Sequence, residues 1–406
     1  MRNIDASFEQ KMSIEPAEHI KNISEYYFAM KLGEVAKMNV EGKSVINLGV
    51  GAPDLPPSEE TINALCTNTY RPDVHAYQSY AGMPELRQAY ADWYKRFYDV
   101  TLSEGEVLPL IGSKEGILHI SLTFLNVGDG VLIPNPGYPT YRSVSNLLRA
   151  RVIEYDLLEN NGWLPDFDAF EKMDLSNVKL MWVNYPNMPT GANASKQLFE
   201  KLVAFGKKQN IIICHDNPYS FILNDQPMSI LSIDGAKEIC IELNSMSKSH
   251  NMSGWRMGLL ASNKQFVQWV LKAKSNIDSG QFKPMQMAAI AALSNPTEWH
   301  SNMNILYAER RKVVEKIMNL LHCTYDKNQV GLFLWGKLPE KALDSKTFID
   351  SLLNNTYVFI TPGSIFGSNG ERYIRISLSS SVSKLLEAYE RIKSWDELYS
   401  LLQIGH

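Results

Sequence analysis

Short apolar runs alternate with segments of helical periodicity through the middle of this chain, and this alternation constrains its fold more than any other feature of the sequence. The runs occupy residues 130–134, 150–155, 178–184, 211–215 and 240–245. Continuous apolar strands are typical of a sheet that is covered by helices on both faces. Residues 196–209 lie between two of these runs and place Leu198, Leu202 and Phe205 on one helical face. The pattern predicts an α/β fold with a mainly parallel sheet, in which ligands bind beyond the carboxyl ends of the strands.

The pattern changes after about residue 295. A long helical segment, 298–321, leads to short strand-like runs near 332–335, 357–361 and 373–378, and a final helix reaches about Leu402. We interpret this region as a second, smaller α+β domain. The predicted division is an N-terminal arm with part of the small domain (1–48), a large domain (49–295) and a small C-terminal domain (296–406).

Composition excludes several classes of function. The 406 residues include 40 Lys and Arg against 44 Asp and Glu, so we expect no nucleic-acid partner. No run of about 18 apolar residues predicts a membrane span, and the charged start, residues 1–5, argues against a signal peptide. The four cysteines are far apart and form no CxxC pair, which argues against disulfides and a metal site. We therefore expect a cytoplasmic protein.

Residues 245–258, SMSKSHNMSGWRMG, carry the strongest chemical signal. A single lysine is usually a solvated surface group. Here Lys248 follows a predicted strand, with Ser245 before it and Arg256 eight residues after it. A lysine in such surroundings can have a lowered pKa and form an imine with a carbonyl, while the hydroxyls and the cation can hold a phosphate.

Two further segments lie at predicted strand ends. In HDNPY, residues 215–219, the residue types favour a turn, and Asp216 places a carboxylate at a predicted strand end. In 110–117, LIGSKEGI, a strand leads into a helix whose free N–H groups suit a phosphate, although Ser113 could equally be an ordinary helix cap.

Taken together, these segments resemble the pyridoxal-phosphate enzymes of the aspartate aminotransferase superfamily, class I/II, which have fold type I. The resemblance implies that Lys248 carries the cofactor as an aldimine and that Ser245 and Arg256 bind its phosphate. It also implies that Asp216 pairs with the pyridinium nitrogen and that Tyr219 donates to the phenolate oxygen of the ring.

The same resemblance extends to other cofactor contacts. It implies that the backbone N–H groups of Ser113 and Lys114 bind the phosphate and that Tyr138, in NPGYPTY, stacks on the ring. It also suggests a cis bond between Asn135 and Pro136.

On the substrate side, the resemblance assigns Arg375 to the substrate carboxylate, because it follows the pattern Pro-Gly-x-x-Phe-Gly that begins at Pro362. Arg372 is the competing candidate. The Gly51 backbone, in the turn GAPD, is expected near the same carboxylate. Tyr77 occupies the position of a tyrosine that reaches the phosphate of the neighbouring subunit, so we expect a homodimer with shared active sites.

The chain departs from the family at Met188. The family pattern has Asn directly before Pro-Thr-Gly, and that Asn donates to the phenolate oxygen, whereas methionine cannot donate a hydrogen bond. Asn187 is adjacent, but we expect its side chain to point elsewhere. Losing this donor should raise the pKa of the imine.

These observations predict transfer of an amino group between an L-amino acid and a 2-keto acid, through the Lys248 aldimine and pyridoxamine phosphate. The alternative is a C–S β-lyase or decarboxylase of the same fold. A cofactor-binding regulator would need room for a DNA-binding domain. A nicotinamide enzyme would need the dinucleotide-binding motif GxGxxG. Gly49-Val-Gly51 begins like this motif, but the residues after it do not complete it. The identity of the substrate stays open, with Lys283 as a candidate second cation for a dicarboxylate.

Overall fold

The computed structural model describes residues 14–21 and 27–402. The charged start of the chain, and with it the prediction about a signal peptide, lies outside the described residues, as does the first part of the predicted N-terminal arm. None of the helices within these residues combines the length and the apolarity that crossing a membrane requires.

The described residues form strands and helices that are numbered here in chain order. The strands are β1 (Ile46–Asn47), β2 (Val107–Leu110), β3 (Gly130–Asn135), β4 (Arg151–Asp156), β5 (Val178–Val183), β6 (Ile212–Asp216), β7 (Cys240–Ser245), β8 (Gly258–Ala261), β9 (Phe333–Lys337), β10 (Val358–Phe359), β11 (Thr361–Pro362) and β12 (Tyr373–Ser377). The helices are α1 (Glu18–Lys21), α2 (Tyr27–Val40), α3 (Glu59–Thr69), α4 (Pro84–Tyr98), α5 (Ser113–Phe124), α6 (Pro139–Leu147), α7 (Phe167–Phe170), α8 (Lys196–Gln209), α9 (Met246–Ser249), α10 (Lys264–Lys274), α11 (Lys283–Leu293), α12 (Glu298–Leu320), α13 (Ser345–Thr356), α14 (Val382–Lys393) and α15 (Leu398–Leu402).

A large sheet forms the centre of the molecule, with strand order β2-β8-β7-β6-β5-β3-β4. The pairs from β7 to β4 are parallel, whereas β8 is antiparallel to both of its neighbours. Every residue of β3 and β7 is buried, as expected for strands covered on both faces. Pro109, which cannot donate to a neighbouring strand, lies in the edge strand β2. The predicted α/β fold with a mainly parallel sheet is confirmed.

The direction of β8 determines which segments meet. The carboxyl ends of β3, β5, β6 and β7 lie at one edge of the sheet because these strands are parallel. Strand β8 runs the opposite way, so its start lies at this edge, and β2 again ends there. The start of α5, which follows β2, therefore meets the segments that follow β6 and β7.

Two small sheets complete the fold. Strands β11, β12 and β9 form an antiparallel sheet in that order, and β1 pairs in parallel with β10. The N–H of Ser377 donates to Leu48 O (2.8 Å), which joins β12 to the segment after β1. The segment around β1, residues 46–48, therefore packs on the C-terminal region. The boundaries of the predicted domains stay a prediction.

Sequence periodicity located most of these elements. Strands β3 to β7 begin and end within one residue of the predicted runs, and α8 and α12 match the predicted helices. Helix α8 begins after Ser195, whose Oγ accepts from Leu198 N, and ends at Asn210 in the left-handed region. The predicted strand 357–361 is wrong in that it divides into β10 and β11, which belong to different sheets. The predicted final helix divides into α14 and α15.

Candidate active site

A cavity of about 370 Å³ lies at the carboxyl edge of the large sheet, a size typical of small-molecule sites. Its wall contains ten of the residues that the sequence predicts for the site: Gly51, Ser113, Lys114, Tyr138, Asp216, Tyr219, Ser245, Lys248, Arg256 and Arg375. Segments that are far apart in the chain therefore meet at one place. Tyr77 is the predicted site residue that this wall does not include.

Lys248 projects into the cavity from α9, the short helix after β7. Its Nζ donates to the backbone oxygen of Gly51. Burial, together with the cations of Arg375 and Arg256, lowers the pKa of the Lys248 amine to about 8. An amine with such a pKa has an appreciable unprotonated fraction near neutral pH, which makes it a nucleophile and a base.

Asp216 ends β6 and is 5% exposed. Its Oδ2 accepts a hydrogen bond from the Tyr141 hydroxyl (2.9 Å). Its Oδ1 is buried and has no hydrogen-bond partner among the described residues. Burial raises the pKa of Asp216 to about 6, although the Tyr141 bond and the nearby His215 oppose this shift. A buried carboxylate oxygen without a donor is costly, so it suits a cationic N–H from a ligand.

The end of the cavity near α5 combines N–H groups, hydroxyls and a cation. Gly112, with φ +77°, precedes the helix, and the Arg256 guanidinium lies where a side chain at Gly112 would be. Arg256 Nη2 donates to Ile111 O (3.2 Å), and Ser245 Oγ donates to Ser247 Oγ (2.9 Å). A Cβ at Gly258 would lie 2.9 Å from Ser113 N and 3.0 Å from Asn244 O, so the segments that carry these residues pack closely. This set of groups suits a phosphate.

Lys114 is the second lysine of the cavity wall and lies at its exposed rim. Partial desolvation and the neighbouring Arg256 cation lower the pKa of its amine. The structure thus brings a competing amine to the phosphate end, whereas Lys248 lies nearer to Arg375.

Aromatic rings form one wall of the cavity. The half-buried Tyr138 meets Tyr141 edge-on, with ring centroids 5.6 Å apart, and Tyr141 stacks on Trp182 at 5.0 Å. The peptide bond between Asn135 and Pro136, just before Tyr138, is cis as predicted. Tyr138 therefore has a fixed ring beneath it, which is what a stacking surface requires.

Tyr219 lies on the side of the cavity that faces the small sheet. Its ring meets Phe333 of β9 edge-on, with centroids 5.7 Å apart. The Phe333 ring packs so closely on the Gly51 backbone that any side chain at Gly51 would overlap it. The bare backbone at Gly51 thus lets the ring and the Lys248 amine approach together.

Arg375 lies in β12, the central strand of the small antiparallel sheet, and is 4% exposed. Its Nη2 donates to Gly49 O (2.7 Å). The guanidinium carbon lies 3.8 Å from the ring centroid of Phe333 and 4.7 Å from that of Phe366. The rings hold the planar cation in place. Arg372 instead donates to four backbone oxygens of residues 339–343 and does not line the cavity.

Met188 occupies a buried position beside Arg375, whose Nη1 lies 3.0 Å from the Met188 sulfur. The neighbouring amides are used by the turn itself. Asn187 accepts from Thr190 and donates to Asn184 O, and Asn184 binds the backbone of Met188 and of Asp216. Asn187 points away from the cavity wall, as predicted.

Tyr77 is 91% exposed and lies in the segment before α4, on the outside of its own chain. It lines a shallow surface depression with residues of the loop before α11, including Phe282. The structure of one chain therefore does not bring Tyr77 to the cavity.

Sequence reasoning missed the hydrogen-bonded groups behind Asp216. His215 and Glu242 are both 0% exposed, and the His215 Nδ1 lies 2.9 Å from Glu242 Oε2. The His215 Nε2 lies 2.8 Å from Tyr185 O, which can only accept. Glu242 also accepts from the Tyr94 hydroxyl (2.7 Å). The residues were present in the predicted strands, but their pairing depends on the register of β6 with β7.

One further group of ionisable side chains lies away from the cavity. Glu115, His119 and Asp278 place ligand atoms within 4.8 Å of one another. Lys274 Nζ lies 2.6 Å from both oxygens of Asp278, so a cation already occupies this cluster.

Comparison with known proteins agrees with this geometry. Residues 43–392 match the family Aminotransferase class I and II. The chain belongs to this family. The LL-diaminopimelate aminotransferase of Aquifex aeolicus is 40% identical over 383 residues, covering 94% of this chain and 99% of that enzyme.

Two solved structures extend the comparison. The substrate-bound structure of BacF from Bacillus subtilis is similar to this aminotransferase with a TM-score of 0.90 and 37% identity, covering 94% and 98% of the two chains. The structure of the aromatic aminotransferase of Pyrococcus horikoshii is similar with a TM-score of 0.80 and 29% sequence identity, covering 89% of this chain and 96% of that chain. The chain is a pyridoxal-phosphate-dependent enzyme that transfers amino groups between amino acids and keto acids. The relatives' names do not favour the lyase or decarboxylase alternative.

The residues of the cavity fit pyridoxal phosphate. The unpartnered Oδ1 of Asp216 suits a pyridinium N–H, and the group of N–H donors, hydroxyls and cation around Ser113, Ser245 and Arg256 suits a phosphate dianion. Lys248 supplies an amine of lowered pKa for an aldehyde. These three features occupy different parts of one wall, as a molecule with three such groups requires.

Met188 gives a first testable prediction. We expect Met188→Asn to lower the pH midpoint of the yellow absorption band of the loaded enzyme by about 1–2 units, because an amide N–H would stabilise negative charge on the ring oxygen. Met188→Leu, which also lacks a donor, should leave the midpoint in place. A spectrophotometric titration measures both, and an unchanged midpoint in Met188→Asn would refute the prediction.

The lowered pKa of Lys248 gives a second testable prediction. Only the unprotonated amine attacks an aldehyde, so capture of pyridoxal phosphate by the cofactor-free enzyme should accelerate with rising pH and level off above about 8. Arg375→Met removes a nearby cation and should move this midpoint upward. Stopped-flow absorbance from pH 6 to 10 measures the profile. A midpoint near the usual lysine value of about 10.4 would contradict it.

Proposed function

We propose that Lys248 binds pyridoxal phosphate covalently and that Asp216 holds its protonated ring nitrogen. The observation that carries this proposal is the buried Oδ1 of Asp216, which lacks a donor and lies in the same cavity wall as the Lys248 amine. A carboxylate beside a ring N–H raises the pKa of that nitrogen, so the ring stays cationic near neutral pH.

Bound pyridoxal phosphate supplies an aldehyde that condenses with amines and a ring that accepts electrons from the substrate Cα. In our proposal the Lys248 amine is the base that removes and returns the Cα proton. Its pKa of about 8 lies close to neutral pH, where general bases work best. Tyr219 donates to the ring oxygen, and Tyr138 packs on the ring face.

Ser113, Lys114, Ser245 and Arg256 hold the phosphate in this proposal, the first two through backbone N–H groups at the start of α5. The Arg256 guanidinium is fixed by its bonds to Ile111 O (3.2 Å) and to the backbone of the preceding turn. A phosphate held in this way fixes the position of the ring.

Arg375 binds the substrate carboxylate, with the Gly51 backbone beside it. Its flat guanidinium, held between Phe333 and Phe366, can offer two parallel N–H groups to a carboxylate. This grip fixes the Cα–H bond relative to Lys248. In our proposal the substrate is an L-α-amino acid, and LL-diaminopimelate is one donor to test because the curated relatives are named for it.

We also propose that two copies of the chain form a homodimer in which Tyr77 serves the site of the other copy. Support comes from the 91% exposure of Tyr77, which has no place in the cavity of its own chain. Mixing inactive Lys248→Ala chains with Tyr77→Ala chains should restore activity, since one mixed site keeps both residues. No restoration in verified mixed dimers would refute the shared site.

A cytoplasmic location remains a proposal. It is supported by the four cysteines, which are all free thiols, with Cys66 exposed. Exposed free thiols are typical of reducing compartments.

A half-reaction tests the proposed roles. An L-amino acid is added to the loaded enzyme while the yellow band is followed and the products are identified. We expect loss of the band with one equivalent of 2-keto acid and no free ammonia. Arg375→Lys should weaken the apparent affinity for the amino acid about 10²-fold, because one point charge replaces two parallel bonds. An unchanged affinity would refute the role of Arg375.

A further inference from the structure

The cavity has an apolar rim formed by helix α2. Phe28 and Leu32 lie one helical turn apart on the side that faces the cavity, and both line it. The Phe28 ring centroid lies 5.6 Å from the guanidinium carbon of Arg375. A substrate held by Arg375 therefore has these two side chains close to it.

Helix α2 is fixed in place from its other side. Lys31 Nζ lies 2.7 Å from Asp350 of α13 and 2.7 Å from Glu34. Val35 and Met38 are buried against the core. These contacts hold the position of Phe28 and Leu32 over the cavity.

Other apolar side chains of the cavity wall also lie beside Arg375. The guanidinium carbon of Arg375 lies 3.8 Å from the ring centroid of Phe333 and 4.7 Å from that of Phe366. Its Nη1 lies 3.0 Å from the Met188 sulfur. All three are less than 10% exposed. A substrate side chain that extends from Cα beside Arg375 thus meets aromatic rings and a thioether.

Few charged side chains of the cavity wall could bind a second polar end. Lys248 and Arg256 are assigned to the cofactor, and the Lys114 amine lies near Arg256, at the phosphate end. Among the described residues of one chain, Asp216 is the one carboxylate in the cavity wall, and the proposed function gives it to the cofactor. Asp54 lies two residues from the wall but pairs with Arg310 (2.7 and 3.2 Å). Lys283 pairs with Asp73 (2.8 Å) and lies outside the wall.

We propose that this aminotransferase selects amino acids with an uncharged, apolar or aromatic side chain, and that Phe28 and Leu32 determine this selectivity. The inference rests on the proposed function, in which Arg375 binds the carboxylate. A side chain ending in an ammonium and a carboxylate would lose water against Phe28 and Leu32, which offer it no hydrogen bond. In this proposal the enzyme shares the reaction of its curated relatives and differs from them in the side chain that it accepts.

Single-turnover rates of the loaded enzyme test the proposal. The donors are L-phenylalanine, L-methionine, L-alanine, L-aspartate and LL-diaminopimelate, and the loss of the yellow band gives kcat/KM for each. We expect L-phenylalanine or L-methionine to exceed the other three by about 100-fold or more. If LL-diaminopimelate or L-aspartate reacts as fast as L-phenylalanine and L-methionine, or faster, the proposed selectivity is wrong and the proposed function stands. No reaction with any donor overturns the proposed function as well.

Two variants assign the selectivity to α2. Phe28→Ala and Leu32→Ala should each reduce kcat/KM for L-phenylalanine about 10- to 100-fold, with the value for L-alanine changed less than about 3-fold. Met30→Ala is the matched control, because Met30 lies on the same helix, is 47% exposed and does not line the cavity. A loss of equal size for both substrates would indicate a structural role and would overturn the assignment.

Discussion

Replacement of Lys248 by alanine is expected to slow amino transfer by about 10⁴-fold, because one amine would serve both as the attachment point of the cofactor and as the general base. The cavity wall offers this amine with a pKa of about 8, between Gly51 and Arg375. Steady-state assays with an excess of both substrates measure the loss. Reduction of the loaded enzyme with borohydride, followed by mass spectrometry, locates the attached cofactor.

Lys114→Ala is the matched control, since Lys114 is the other lysine of the cavity wall and its pKa is also lowered. The adduct should remain on the peptide that contains Lys248 in this variant and should be absent in Lys248→Ala. An adduct on the Lys114 peptide of the unaltered enzyme would mean that the wrong lysine has been chosen.

Replacement of Glu242 by leucine is expected to destabilise the fold by about 3–5 kcal/mol, a large part of the stability of an ordinary domain. Glu242 is fully buried and lies within hydrogen-bond distance of groups on three separate segments of the chain. They are the Tyr94 hydroxyl (2.7 Å), the Ser229 hydroxyl (2.8 Å) and the Ile230 N–H (3.0 Å), which donate to Glu242, and the His215 Nδ1, which lies 2.9 Å from it. Leucine would leave all of these groups buried without an acceptor.

Urea unfolding followed by tryptophan fluorescence measures the effect. Glu238→Leu is the control, because Glu238 lies two residues before β7 and its exposed carboxylate pairs with Lys207 at the surface. Exposed pairs of this kind contribute at most about 1 kcal/mol. Similar unfolding midpoints for the two variants would show that the buried hydrogen bonds of Glu242 contribute little.

The large sheet could be predicted because its strands are buried on both faces and therefore appear as continuous apolar runs. The sequence predicts only the end of β2, at the junction with α5, and does not predict β8, since these strands have only four residues each and carry no alternation. The direction of β8 could not be inferred either, and it is this direction that brings Arg256 to the start of α5. Pairing between strands depends on long-range packing, which local periodicity does not contain.

The candidate site was predictable wherever a residue type and its spacing carry the chemistry, as with Lys248, Asp216 and Arg375. The interactions that prepare those residues were not. Tyr141 donates to Asp216 from a helix 75 residues away in the chain, and Phe333 frames Arg375 from a neighbouring strand. Such contacts are determined by the register of the sheets and the packing of helices on them, so only the structure reveals them.

Ser245, Lys248 and Arg256 all lie on or beside the single connection between the neighbouring strands β7 and β8. A molecule bound by all three would fasten two central strands together. Binding to the native state alone adds about 2.7 kcal/mol at a ligand concentration 100-fold above its Kd. The half-life of this enzyme against cellular proteases would then depend on the supply of vitamin B6, and scarcity of the vitamin would reduce the amount of enzyme along with its turnover.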